Sequence, residues 1–111
     1  MKTRTIELIT SKLGPPEGET KKAFAWNITS GFGVVVQQDQ PLRDEYAIVW
    51  LPFNNDLEAL PSIEKSVYPP EKGRHSNTYA SPGLTKGEPA VRLKIRSQSQ
   101  LNELTRYLFE F

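Results

Sequence analysis

Ala90-Val91-Arg92-Leu93-Lys94-Ile95-Arg96, followed at once by Ser97-Gln98-Ser99-Gln100-Leu101-Asn102-Glu103-Leu104-Thr105-Arg106-Tyr107-Leu108-Phe109-Glu110-Phe111, carries two hydrophobic periods back to back. Val91, Leu93 and Ile95 alternate with Arg92, Lys94 and Arg96, the period of two of a strand with one apolar and one cationic face. From Ser97 onward the spacing changes. Leu101, Leu104, Leu108 and Phe111 recur at three- and four-residue steps, which lays an apolar stripe along one side of a helix. Ser97 and Gln100 stand at capping-box spacing, so two backbone donors at the helix start can be satisfied by side chains. A strand that hands over to an amphipathic helix needs a sheet for the helix to lie on, and this decides for an α+β fold.

Working outward, Ala23-Phe24-Ala25-Trp26-Asn27-Ile28 alternates with Phe24, Trp26 and Ile28 on one face, the pattern of a half-buried strand. Ser30-Gly31-Phe32-Gly33 supplies a tight turn or a bulge, and Val34-Val35-Val36-Gln37-Gln38 continues as a second strand, so the pair reads as a hairpin. After a loop at Asp39–Asp44, the stretch Tyr46-Ala47-Ile48-Val49-Trp50-Leu51 is apolar nearly throughout. It belongs in the middle of a sheet, ended by Pro52. Asn55 or Asp56 can cap a short helix over Leu57-Glu58-Ala59-Leu60 that Pro61 stops.

Residues 3–13 are rich in β-branched side chains, and Ile6 and Leu8 flank Glu7, which favours a first strand; Leu13 at helical spacing from Ile6 and Ile9 keeps a short helix as the alternative. Gly14-Pro15-Pro16-Glu17-Gly18 breaks whichever element precedes it. Residues 62–90 hold Pro69-Pro70, Gly73, Pro82-Gly83, Gly87 and Pro89 with few apolar residues, and are read as one long Pro/Gly-rich loop. A loop of that length carries function or motion. The expected architecture is a four- or five-stranded, mostly antiparallel sheet with the C-terminal helix packed on one face, in a single domain over residues 1–111.

The chain has no cysteine, which excludes disulfides, thiolate zinc sites, iron–sulfur clusters and cysteine nucleophiles. That composition fits a reducing compartment, and a cytoplasmic location is the expectation. Met1-Lys2-Thr3-Arg4-Thr5 leads into too short an apolar run for a signal peptide, and no run approaches a membrane span. One histidine rules out a multi-histidine metal site. His75 as a base has no partner defined by sequence, and a surface or capping role is expected for it. Gly31-Phe32-Gly33 lacks the third glycine and following helix of a dinucleotide fingerprint. Glu19-Thr20-Lys21 has the Glu-x-Lys spacing of metal nucleases but no preceding aspartate, and Asp44-Glu45 and Asp56/Glu58 read as solvated acids. No catalytic residue, metal or cofactor is expected, and the chain reads as a non-enzyme.

Charge is spread unevenly despite a formal net of only +1. Residues 37–64 hold six acids against Arg43, a net of −5, whereas residues 65–96 hold seven cations against Glu71 and Glu88, a net of +5. Inside the basic part, Lys72-Gly73-Arg74-His75-Ser76-Asn77-Thr78-Tyr79 combines cations, an amide, hydroxyls and an aromatic ring around a glycine, the donor and stacking groups that hold phosphates and bases. Together with Lys86 and the Arg92, Lys94, Arg96 row, the expected nucleic-acid-binding residues are Lys72, Arg74, His75, Asn77, Tyr79, Lys86, Arg92, Lys94 and Arg96. The functional expectation is therefore contact with the backbone of single- or double-stranded DNA or RNA. The rival is a protein-interaction or structural module, homo-oligomeric through an apolar edge near Val34–Val36 or through Tyr107-Leu108-Phe109-Glu110-Phe111.

Overall fold

A computed structural model describes residues 1–29, 32–39, 41–52, 60–68 and 90–109. Helix α1 spans Lys2–Leu13. The strands β1 (Gly18–Glu19), β2 (Ala23–Thr29), β3 (Phe32–Gln37), β4 (Ala47–Pro52), β5 (Glu64–Tyr68) and β6 (Ala90–Ile95) follow, and helix α2 spans Gln98–Phe109. Among the described residues the strands form one six-stranded sheet in the order β1-β2-β3-β4-β6-β5, with every neighbouring pair antiparallel. The sheet thus has six strands where four or five were expected.

The two extra strands are β1 and β5, which form the two edges of the sheet. β1 is only two residues long and exists because Gly18 and Glu19 pair with Ala25 and Phe24. β5 lies inside the stretch read as continuous loop. Its side chains are half or fully exposed, so no apolar alternation announces it, and the pairing of Glu64–Tyr68 with Lys94–Ala90 makes it a strand.

α1 replaces the strand expected over residues 3–13. Thr5 and Ile9 are its buried residues, and Met1, Ile6, Leu8 and Leu13 pack around them, so burial at helical spacing outweighs β-propensity. The threonines also turn their hydroxyls back into the helix: Thr5 Oγ1 donates to Met1 O at 2.8 Å and Thr10 Oγ1 to Ile6 O at 2.7 Å. Gly14 ends α1 at φ 84°, in the left-handed region, and its N–H bonds Thr10 O at 2.8 Å. Its carbonyl accepts the indole N–H of fully buried Trp26 at 3.0 Å, tying the end of α1 to β2.

α2 forms as expected as far as Phe109, with Glu110 and Phe111 lying outside the described residues, and β2 pairs with β3 as the expected hairpin; the details differ. Ser97 Oγ accepts the Gln100 N–H at 3.2 Å, but Gln100 Oε1 reaches back to the N–H of Arg96 (2.7 Å) instead of to Ser97. The β2–β3 register shifts between Asn27 and Thr29, a bulge near the end of β2; Ser30 and Gly31 lie outside the described residues. Val34–Val36 lies between β2 and β4 and is not a sheet edge, which removes it as a self-association surface. Tyr107 and Phe109 pack against the core. The short helix expected at 57–60 falls mostly outside the described residues; Leu60 itself is buried and not helical.

Both helices cover the same face of the sheet. Ile9 of α1 and Leu101, Leu104 and Leu108 of α2 share one apolar cluster with Trp26, Val34, Val36, Val49, Leu51, Val91, Leu93 and Ile95. Ala23, Ala25, Val35, Ile48, Trp50 and Ala90 point to the opposite face, where Tyr46 and Tyr68 pack against them. β4 is buried on both faces, which accounts for its unbroken apolar run.

The start of α1 is capped from across the chain by Asp44. Its Oδ1 accepts the Thr3 N–H at 2.7 Å and lies 3.2 Å from the Met1 ammonium, which also bonds the Asp44 carbonyl. Asp44 sits at φ 64°, a conformation aspartate and asparagine tolerate better than alanine. The Thr3 hydrogen bond holds its carboxyl below the ordinary 3.8; partial burial opposes this, and the Met1 ammonium adds to the lowering. A depressed folded-state value means the cap contributes fully above the unfolded value and is lost as pH falls through the folded one. Asp44→Ala should therefore cost about 1–2 kcal/mol at neutral pH. Asp44→Asn, which keeps an acceptor and the backbone conformation, should cost less. Thermal melts across pH check this: the gap between wild type and Asp44→Asn should close on acidification below 3.8, and a gap that stays constant would show that the carboxylate's charge adds nothing to the cap.

Candidate nucleic-acid interface

Alternation along β6 turns Val91, Leu93 and Ile95 into the helix-covered core, so Arg92 and Lys94 project from the opposite face. Arg96, one residue past the strand, continues their parity. Side chains two residues apart on a strand stand about 6.7 Å from one another, which makes a regular row of cations. The register supplies the row's neighbours. Arg92 lies between Trp50 of β4 and Ser66 of β5, and Lys94 between Ile48 and Glu64.

Each cation is held differently. The Lys94 ammonium sits 4.6 Å above the centre of the Tyr46 ring. Arg96 Nη2 pairs with Glu64 Oε1 at 2.9 Å, with both side chains 55% exposed. Arg92 is half-buried, and among the described residues no carboxylate pairs with it or with Lys94. Beneath the row, Trp50 is fully buried and donates its indole N–H to Gln37 Oε1 at 2.8 Å, while Gln37 Nε2 donates to Asp39 Oδ1 at 3.2 Å. Tyr68 meets the Trp50 ring edge-on at 5.0 Å. A depression lined by Pro41, Leu42, Arg43, Glu45 and Tyr46 adjoins the Lys94 end of the row.

The surface is thus a strip of three cations with two half-buried tyrosines and a serine hydroxyl beside it. Chemically it offers hydrogen-bond donors to anionic oxygens and ring faces to planar groups, and among the described residues Glu64 is the carboxylate paired with the row. Of the residues expected from sequence, Arg92, Lys94 and Arg96 come together; Lys72, Arg74, His75, Asn77, Tyr79 and Lys86 lie outside the described residues. Sequence reading missed Tyr46, Glu64, Ser66 and Tyr68. The parity of Tyr46 with Ile48 and Trp50 was a usable signal, but the other three depend on recognising β5. Lys65, counted among the basic residues, is turned elsewhere and donates to the carbonyls of Leu60 and Ile63.

Among the described residues no group of three or more histidine, cysteine, aspartate or glutamate side chains could hold a metal ion. No described helix is long and apolar enough to cross a membrane. No family model, curated protein or solved structure matches the chain.

Proposed function

We propose that this protein is a non-enzymatic nucleic-acid-binding module that contacts the sugar–phosphate backbone through Arg92, Lys94 and Arg96. The observation that carries the reading is the face on which the row stands: strand parity sets three cations on the side of the sheet turned away from both helices, and the neighbouring strands flank them with Tyr46 and Tyr68. The spacing of the row is close to that of phosphates along an extended strand, and tyrosines beside cations suit stacking of unpaired bases. Lys72, Arg74, His75, Asn77, Tyr79 and Lys86 are included in the proposal on their sequence alone, as a basic segment of the same chain.

Binding of this kind releases counterions, so affinity must fall with salt. Fluorescence anisotropy with labelled single- and double-stranded DNA and RNA, titrated between about 50 and 200 mM salt, tests it. Three phosphate contacts predict a log–log slope of about −2 to −3 or steeper. Absence of binding at low salt, or an affinity indifferent to salt, would end the reading.

A further inference from the structure

We infer that Glu64 acts as an internal stand-in for a phosphate, occupying one end of the cation row until a polyanion displaces it; this rests on the nucleic-acid reading above. Glu64 stands beside one member of the row and pairs with another. Its Cα partner across the β5–β6 ladder is Lys94, and its carboxylate pairs with Arg96, two residues further on. A carboxylate and a phosphate present the same kind of oxygen pair to a guanidinium, so one can replace the other without moving the arginine.

The placement of Glu64 is fixed by the turn that precedes it. The Ser62 carbonyl accepts from Gln100 Nε2 at 2.8 Å, and the Ser62 N–H donates to Glu103 Oε2 at 3.2 Å, so α2 holds the entry to β5. Ile63 is buried, and Lys65 Nζ bonds the Ile63 carbonyl at 3.0 Å. With both neighbours anchored, the Glu64 carboxylate is held at the Arg96 end of the row. Its pair with Arg96 is solvent-exposed on both sides, and exposed pairs are weak enough for a ligand to exchange. The carboxylate therefore sets a threshold: it discourages isolated anions and yields to a polymer that also engages Arg92 and Lys94.

Glu64→Gln keeps the shape and removes the charge. It should bind single-stranded DNA roughly two- to fivefold tighter than wild type, the fold-change of one released surface pair. Its salt slope should stay near that of wild type, because Arg96 meets a phosphate in either bound complex and only the displacement of the carboxylate is spared. Glu64→Ala should behave alike. Glu7→Gln, on the exposed side of α1 and so across the sheet from the row, controls for net charge and should not tighten binding comparably. In an Arg96→Ala background the Glu64→Gln gain should vanish. A gain no larger than that of Glu7→Gln, or one that survives without Arg96, overturns the inference while leaving nucleic-acid binding intact. A wild-type chain that binds no nucleic acid overturns both.

Discussion

Trp50→Ala should unfold much of the molecule's stability margin, lowering it by about 3–5 kcal/mol. Trp50 is fully buried in β4, and its removal opens a cavity under the strand face that carries Arg92. It also takes the donor from Gln37 Oε1, a side chain that is itself only 3% exposed. Leaving that acceptor unmet costs about a further 1–3 kcal/mol unless water enters. In a domain of this size 1 kcal/mol moves the midpoint by roughly 4–8 °C, so Tm should drop by about 15 °C or more. Trp50→Phe separates the two contributions, because it restores most of the apolar area but not the N–H. It should recover more than half of the loss. Thermal denaturation followed by circular dichroism reads all three chains, and a Trp50→Ala midpoint within a few degrees of wild type would show that the indole is not a packing element.

Removing the row altogether should have the largest effect on binding. The triple substitution Arg92→Ala, Lys94→Ala and Arg96→Ala deletes three charge-assisted contacts of about 1 kcal/mol each, which lowers affinity for single-stranded DNA on the order of 100-fold. The salt slope should flatten by about 2–3 at the same time. Stability should change little. Arg96 loses one exposed pair, Lys94 one ring contact, and Arg92 has no carboxylate partner among the described residues. The variant therefore separates binding from folding. A folded triple variant with wild-type affinity and slope would place the contact surface elsewhere on the molecule.

The elements that could be read from sequence are those whose own side chains carry the period. In β6 and α2 the change from alternation to three- and four-residue steps marks strand, junction and helix within one stretch. β4 reads as central because both of its faces are buried. α1 misled because its threonines look like strand residues, and only their hydroxyl bonds to Met1 and Ile6 explain how a helix accommodates them. β1 and β5 have no period of their own; each is a strand because a neighbour offers a row of backbone donors and acceptors. The same division runs through the candidate site. Arg92, Lys94 and Arg96 share a face by parity alone, whereas Tyr46, Ser66, Glu64 and Tyr68 reach them through cross-strand register, and register between distant segments is not written in local sequence.

The position of β6 between β4 and β5 bears on how the chain acquires its shape. Last in chain order among the described strands, β6 seats between two that precede it, closing a loop back to β4 of roughly 40 residues, an entropic toll that sequence-neighbour hairpins such as β2–β3 escape. Without β6 in place, β4 presents one unpaired edge of an apolar strand, the kind of edge on which chains associate. Arg92 and Lys94 lie on this same strand, so the cationic strip and the pairing of that edge of β4 are made together.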